Sequence, residues 1–108
     1  MPKKNKKKKN KKTIPLNVKA LGNDISAYPF VEIEWSDIEG DAGWSDTKDL
    51  NKSKLPVCVS KGYLVSQTKG VTRIFTDYIK TKDKPTFDTI GNTTIIPTSV
   101  IVSIKKIN

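Results

Sequence analysis

The stretch Tyr28–Asp37, YPFVEIEWSD, decides the fold. Val31, Ile33 and Trp35 alternate with Glu32, Glu34 and Ser36. That period of two places the apolar trio on one face of a β-strand and both glutamates on the other. Pro29 has no N–H to give to a ladder, so it fits only at the start of such a strand or on an edge.

Downstream, Ile38–Leu55 (IEGDAGWSDTKDLNKSKL) is a long polar connection broken by Gly40 and Gly43. Ser45 is placed to cap a single helical turn over Asp46–Asp49. A connection of this length without periodicity points to a functional loop. A second run covers Pro56–Thr68, with apolar positions at Val57, Val59 and Leu64 and a bend or bulge expected at Gly62. Lys69-Gly70 turns the chain into Val71–Lys80, where Ile74, Phe75, Tyr78 and Ile79 are apolar. Lys80–Asn92 reads as another polar connection, anchored by Phe87. Thr93–Ile96 and Val100–Ile107 form the closing strands on either side of Pro97-Thr98-Ser99. Upstream, residues 13–27 are a lead-in, with Leu16–Leu21 as a short strand or one helical turn and Gly22-Asn23-Asp24 as a turn. The pattern predicts an all-β domain over residues 13–108 with about five strands. At this size a small barrel is the expected way to remove sheet edges.

Charge is segregated. Met1–Lys12 reads MPKKNKKKKNKK, with eight lysines (Lys3, Lys4, Lys6, Lys7, Lys8, Lys9, Lys11 and Lys12) and no acid. The chain carries +9; without these eight lysines 12 basic residues face 11 acidic ones, about +1. Residues 1–12 are expected to be a disordered tail, because they hold no apolar residue after Met1 to offset the cost of ordering the backbone. Lysines that neutralise phosphates release counterions, so the tail suits non-specific, salt-sensitive contact with nucleic acid. It contains no aromatic ring for base stacking and no arginine for bidentate base reading. An extension that merely follows an AT-rich codon usage would look the same.

The remaining chemistry is sparse. Histidine is absent and Cys58 is the single cysteine, which removes the commonest general base, the usual nucleophile activator and any internal disulfide. Cys58 reads as a small structural residue between Val57 and Val59. Asp37, Glu39 and Asp41 have the alternate spacing of a calcium loop, but Ala42 stands where that loop needs glycine and Lys48 where it needs glutamate. Neither a catalytic residue nor a metal ligand or cofactor site is predicted. Trp35 belongs to the core. Trp44 is read first as a lid folded back over the barrel, and otherwise as a partner-binding anchor. Arg73, the single arginine, belongs with Lys61 and Lys69 to the basic stretch of the folded part, and with Trp44 they make up the candidate binding surface. No run of apolar residues is long enough to span a membrane, and no apolar stretch follows the lysines as a secretory signal would require.

Two resemblances rest on particular motifs. Glu34-Trp35-Ser36-Asp37, Gly43-Trp44, Pro56-Val57-Cys58-Val59-Ser60-Lys61-Gly62-Tyr63-Leu64, and Ile96-Pro97 leading to Ile101 and Ile104 resemble a pattern in small uncharacterised proteins encoded by tailed bacteriophages. That resemblance covers residues 28–107 and implies a phage origin and a host-cytoplasm setting. Gly62-Tyr63-Leu64-Val65-Ser66 and Thr94–Ile101 look like the Gly-x-Leu step and the closing strand pair of Sm-like or SH3-like small barrels. At the positions of the Sm-like RNA pocket this chain reads Ser66-Gln67-Thr68-Lys69 and Pro97-Thr98-Ser99, so the resemblance implies a fold and not an RNA pocket.

These readings converge on a non-enzymatic phage accessory protein that binds nucleic acid or a host protein, assisted by its lysine tail. A small-ligand binder that sequesters a nucleotide is the alternative, followed by a carboxylate- and metal-dependent enzyme.

Overall fold

The computed structural model describes residues 13–14, 22–82 and 85–107. Its elements are β1 (Phe30–Ser36), α1 (Thr47–Lys52), β2 (Val57–Thr68), β3 (Val71–Lys80), β4 (Phe87–Pro97) and β5 (Ile101–Lys106). Short 3-10 turns cover Ile25–Ala27 and Thr98–Val100. The strands form one antiparallel sheet in the order β4-β3-β2-β1-β5. β4 and β5 are its edges, so the sheet is open where a closed barrel was expected. The edges are blunted by other means: Pro97 ends β4, and β5 is short and finishes in Lys105 and Lys106.

The alternation in Tyr28–Asp37 produces β1 as anticipated. Val31 and Ile33 are buried and Trp35 packs against the cluster they join. Leu64, Ile74, Ile96, Ile101 and Ile104 complete this aliphatic face, with Ile14 and Val100 partly buried against it. Trp35 Nε1 donates to Ser60 Oγ at 3.0 Å across the β1–β2 pair.

The opposite face of the sheet is also apolar, and it is aromatic. All three tyrosines and all three phenylalanines of the chain meet there. Tyr63 stacks on Phe75 with ring centroids 5.3 Å apart and meets Phe30 edge-on at 4.9 Å. Tyr28 and Tyr78 border Phe87, which closes the group. The lead-in to β1 lies over this end of the sheet. Asp24 bridges to Thr86, Phe87 N donates to Asn23 O at 2.9 Å, and Ile25 N donates to Pro85 O at 3.1 Å.

Several expectations need correction. β4 begins at Phe87, not Thr93, so the Lys80–Asn92 connection shrinks to residues 81–86 while Phe87 is buried as foreseen. Val57 and Val59 are exposed, because the apolar-facing partners of Trp35 and Ile33 on β2 are Cys58 and Ser60. Ile79 is exposed too. The bulge in β2 falls between Leu64 and Ser66 and not at Gly62. Gly62 serves a different purpose, since a Cβ there would lie 2.8 Å from the backbone oxygen of Phe75. The Lys69-Gly70 turn forms as expected, with φ 53° and 79° at its two central residues. Leu16–Leu21 and the tail 1–12 lie outside the described residues.

Gly62→Ala should therefore destabilise the fold by about 1–3 kcal/mol, because backbone of β3 must move to admit one methyl group. A shift in the urea midpoint at unchanged m-value checks this, and a midpoint equal to the parent's would show that β3 yields freely.

Candidate functional site

Two groups of candidate residues stand at opposite ends of β2. At its C-terminal end, Ile14 N donates to Gln67 Oε1 at 3.0 Å. Gln67 Nε2 donates to Thr72 Oγ1 at 3.1 Å, and the Thr72 and Thr98 hydroxyls lie 2.9 Å apart. Thr72 is wholly buried, so this polar chain is anchored in the sheet. It fixes the root of the lysine segment beside the β2–β3 turn. Lys69 sits in that turn, and Arg73 Nη1 donates to Ser66 Oγ and Thr68 Oγ1, each at 3.2 Å. Lys69, Arg73 and the root of residues 1–12 thus share one end of the molecule. Lys61 does not join them. It faces Glu32 across the β1–β2 pair at 3.9 Å, and Lys105 approaches the other oxygen of Glu32 at 3.6 Å. Where the eight tail lysines go lies outside the described residues.

At the N-terminal end of β2 the connection between β1 and β2 stands out as an arm. Every residue of 38–57 is exposed. Asp37 N donates to Pro56 O at 3.0 Å at the base of the arm. Asp46, not Ser45, caps α1: its Oδ1 accepts from Asp49 N at 2.7 Å, while the Ser45 hydroxyl turns to Asp46 O. The arm encloses an open cleft of about 770 Å³. Trp44, Leu50 and Leu55 supply its apolar surface, and its charged lining is Glu39, Asp41 and Asp46 with one cation, Lys54.

Trp44 is completely exposed, which overturns its reading as a lid. The arm leaves the end of the β1–β2 hairpin and does not fold back over the aliphatic face. Gly43 N donates to Asp41 Oδ1 at 2.9 Å, a tight local turn that holds the loop just before Trp44. Val57 and Val59, both exposed, follow Leu55 in sequence at the start of β2.

The acidic residues show no convergence. Asp37 and Asp41 accept from backbone N–H groups of their own loop. Among the described residues no three His, Cys, Asp or Glu side chains come together as metal ligands. Cys58 is half-buried opposite Trp35. Among the described residues no helix is long and apolar enough to cross a membrane.

The aromatic cluster was not anticipated, and it perturbs one titratable group. Burial, followed by the neighbouring Tyr78, raises the Tyr63 phenol above its ordinary value of 10.0. Comparisons with protein-family models, with curated proteins and with solved structures find no match to this chain.

Two measurements check this geometry. Trp44→Ala should leave stability within about 0.5 kcal/mol of the parent and remove the indole fluorescence most open to acrylamide quenching; a loss above about 2 kcal/mol would mean that Trp44 packs on the fold. A tyrosine whose folded-state value is raised holds its proton longer when folded. Its contribution to stability is therefore present below pH 10.0 and is lost as pH rises toward the raised value. Tyr63→Phe should flatten the alkaline limb of the stability profile, and an unchanged limb would place the ionisation elsewhere.

Proposed function

We propose that this protein is a non-enzymatic binding module whose basic end contacts nucleic acid. The observation that carries this reading is the Ile14–Gln67 hydrogen bond, which roots the lysine segment beside Lys69 and Arg73. The eight lysines precede Ile14 in sequence, and that end of the sheet also carries Lys69 and the hydrogen-bonded Arg73. Binding of this kind is driven by counterion release and is weakly selective for sequence. The motif resemblance to tailed-phage proteins supports an accessory role in the cytoplasm of an infected host. The strand order, with the Thr98–Val100 turn leading from one edge strand to the other, supports a Sm-like topology for the open sheet.

A host protein as partner is the second reading. It is favoured by the full exposure of Trp44, a residue type that concentrates binding energy at interfaces. Sequestration of a nucleotide finds less support, because Glu39, Asp41 and Asp46 around the cleft would repel phosphate.

The test is fluorescence anisotropy with a labelled single-stranded oligonucleotide across a salt series. Each neutralised phosphate should contribute about −0.7 to the slope of log K against log salt. Lys→Gln at positions 3, 4, 6, 7, 8, 9, 11 and 12 should remove most of that slope, and Arg73→Gln should reduce it by less than about one phosphate's worth. Binding indifferent to salt, or a slope that survives loss of the tail lysines, would overturn the proposal.

A further inference from the structure

The lining of the arm's cleft is more acidic than basic, and the fold holds it far from Ile14, just beyond the lysine segment. We infer that the cleft is a docking site for the lysine segment, residues 3–12, of a second copy of this chain. The inference concerns the arm and stands independently of the nucleic-acid reading.

Three observations carry it. The first is complementarity. Trp44 presents an exposed indole, Leu50 and Leu55 add apolar surface, and Glu39, Asp41 and Asp46 outnumber the single lining cation, Lys54, with Oδ2 of both aspartates left over from the bonds that Oδ1 makes to Gly43 N and Asp49 N. A lysine side chain matches all three components. Its four-carbon stem lies along apolar surface while the ammonium reaches a carboxylate or the face of an indole. Residues 3–12 offer eight such side chains and no acid that would repel the rim.

The second is distance. Ile14 is tied to Gln67 near one end of β2, whereas the arm begins beyond Val57 at the other end. At about 3.3 Å per residue the strand separates these points by roughly 33 Å. The residues ahead of Thr13 reach roughly 40 Å only when fully extended. A segment docking on its own chain would be stretched almost taut, while a segment from another copy pays no such cost.

The third is the unspent surface around the cleft. Val57 and Val59, 57% and 56% exposed, lie at the start of β2 directly after Leu55 in sequence. The arm as a whole contributes no buried residue to the fold. Because each copy carries both a donor segment and a cleft, two copies can exchange segments reciprocally or link head-to-tail. Nucleic acid bound to the lysine segment would compete with it for the cleft.

Sedimentation of the full-length chain at 50 mM and 500 mM salt tests the inference, with two full-length variants. One carries Trp44→Ala, Asp41→Asn and Asp46→Asn. The other carries Lys→Gln at positions 3, 4, 6, 7, 8, 9, 11 and 12. The parent should associate at low salt, with a weight-average mass that rises with concentration and returns to the monomer at high salt. Each variant alone should associate at least fivefold more weakly. Their equimolar mixture should recover pairing and stop at a heterodimer, because the cleft-defective copy retains a donor segment and the tail-defective copy retains the cleft. A parent that stays monomeric at low salt, association that survives in either variant, or a mixture that fails to pair would each overturn the inference. Survival in both variants would identify a sheet-edge contact instead. Oligonucleotide binding by the cleft variant, measured separately, reports on the basic end alone and keeps the two readings apart.

Discussion

The opposed directions of Tyr63 and Leu64 govern the rest of the structure. These adjacent residues of β2 point to opposite faces of the sheet, and each joins one of two apolar clusters. Leu64 enters the aliphatic group with Val31, Ile33 and Ile74. Tyr63 contacts Phe30, Phe75 and Tyr78 on the other face. A sheet that is apolar on both sides needs cover on both sides. On the aromatic side it is supplied by the lead-in to β1, held by the Asp24–Thr86 bridge and the hydrogen bond from Phe87 N to Asn23 O. The close approach of β3 to Gly62 belongs to the same requirement, since Phe75 is the residue that stacks on Tyr63.

With its middle committed to both clusters, β2 becomes the axis of the molecule. Its C-terminal end carries the β2–β3 turn, Arg73 and the root of the lysine segment, while its N-terminal end carries the arm. Opposite charges at these two ends do not cancel. The strand separates them by roughly 33 Å, several times the Debye length of about 8 Å at physiological ionic strength. Each end therefore presents its own potential to a partner. This is why a net charge of +9 says little about how the arm behaves.

The sequence shows the fold most clearly where one face of a strand is apolar and the other charged. In β1, Glu32 and Glu34 mark the outer side, and the pairing of Glu32 with Lys61 and Lys105 follows from that assignment. The same logic fails for β2. Val57 and Val59 look like core residues by type, but the positions facing the interior opposite Trp35 and Ile33 are Cys58 and Ser60. It also fails for Phe87–Asn92, which extends β4 although Asp88 and Asn92 are polar and Gly91 is a poor strand former. There the partner strand β3 decides, through pairings such as Tyr78 with Ile90. The aromatic cluster was hidden for a related reason. Its rings come from β1, β2, β3, β4 and the lead-in, and periodicity within one strand carries no record of which rings meet across strands. Exposure of Trp44 is a tertiary property as well. The loop around it contains nothing that distinguishes a lid from a projecting arm.

The arm, then, is where the described fold leaves its most exposed large apolar side chains. In the sheet, one set of aliphatic residues is buried together and the rings are engaged with one another, although Val57, Val59 and Ile79 stay exposed. Burying a large apolar side chain stabilises a fold by roughly 1.5–3 kcal/mol, a sizeable share of the roughly 5–15 kcal/mol that holds a typical domain together. Trp44 contributes none of it to the isolated chain, and Leu50 and Leu55, both exposed, contribute only part. The arm nonetheless has defined local structure, with Asp46 capping α1 and Asp41 fixing the turn before Trp44. A segment that is shaped by its own hydrogen bonds but leaves its apolar groups in water is pre-organised for contact. The free energy those groups withhold from folding is available to a partner that covers them.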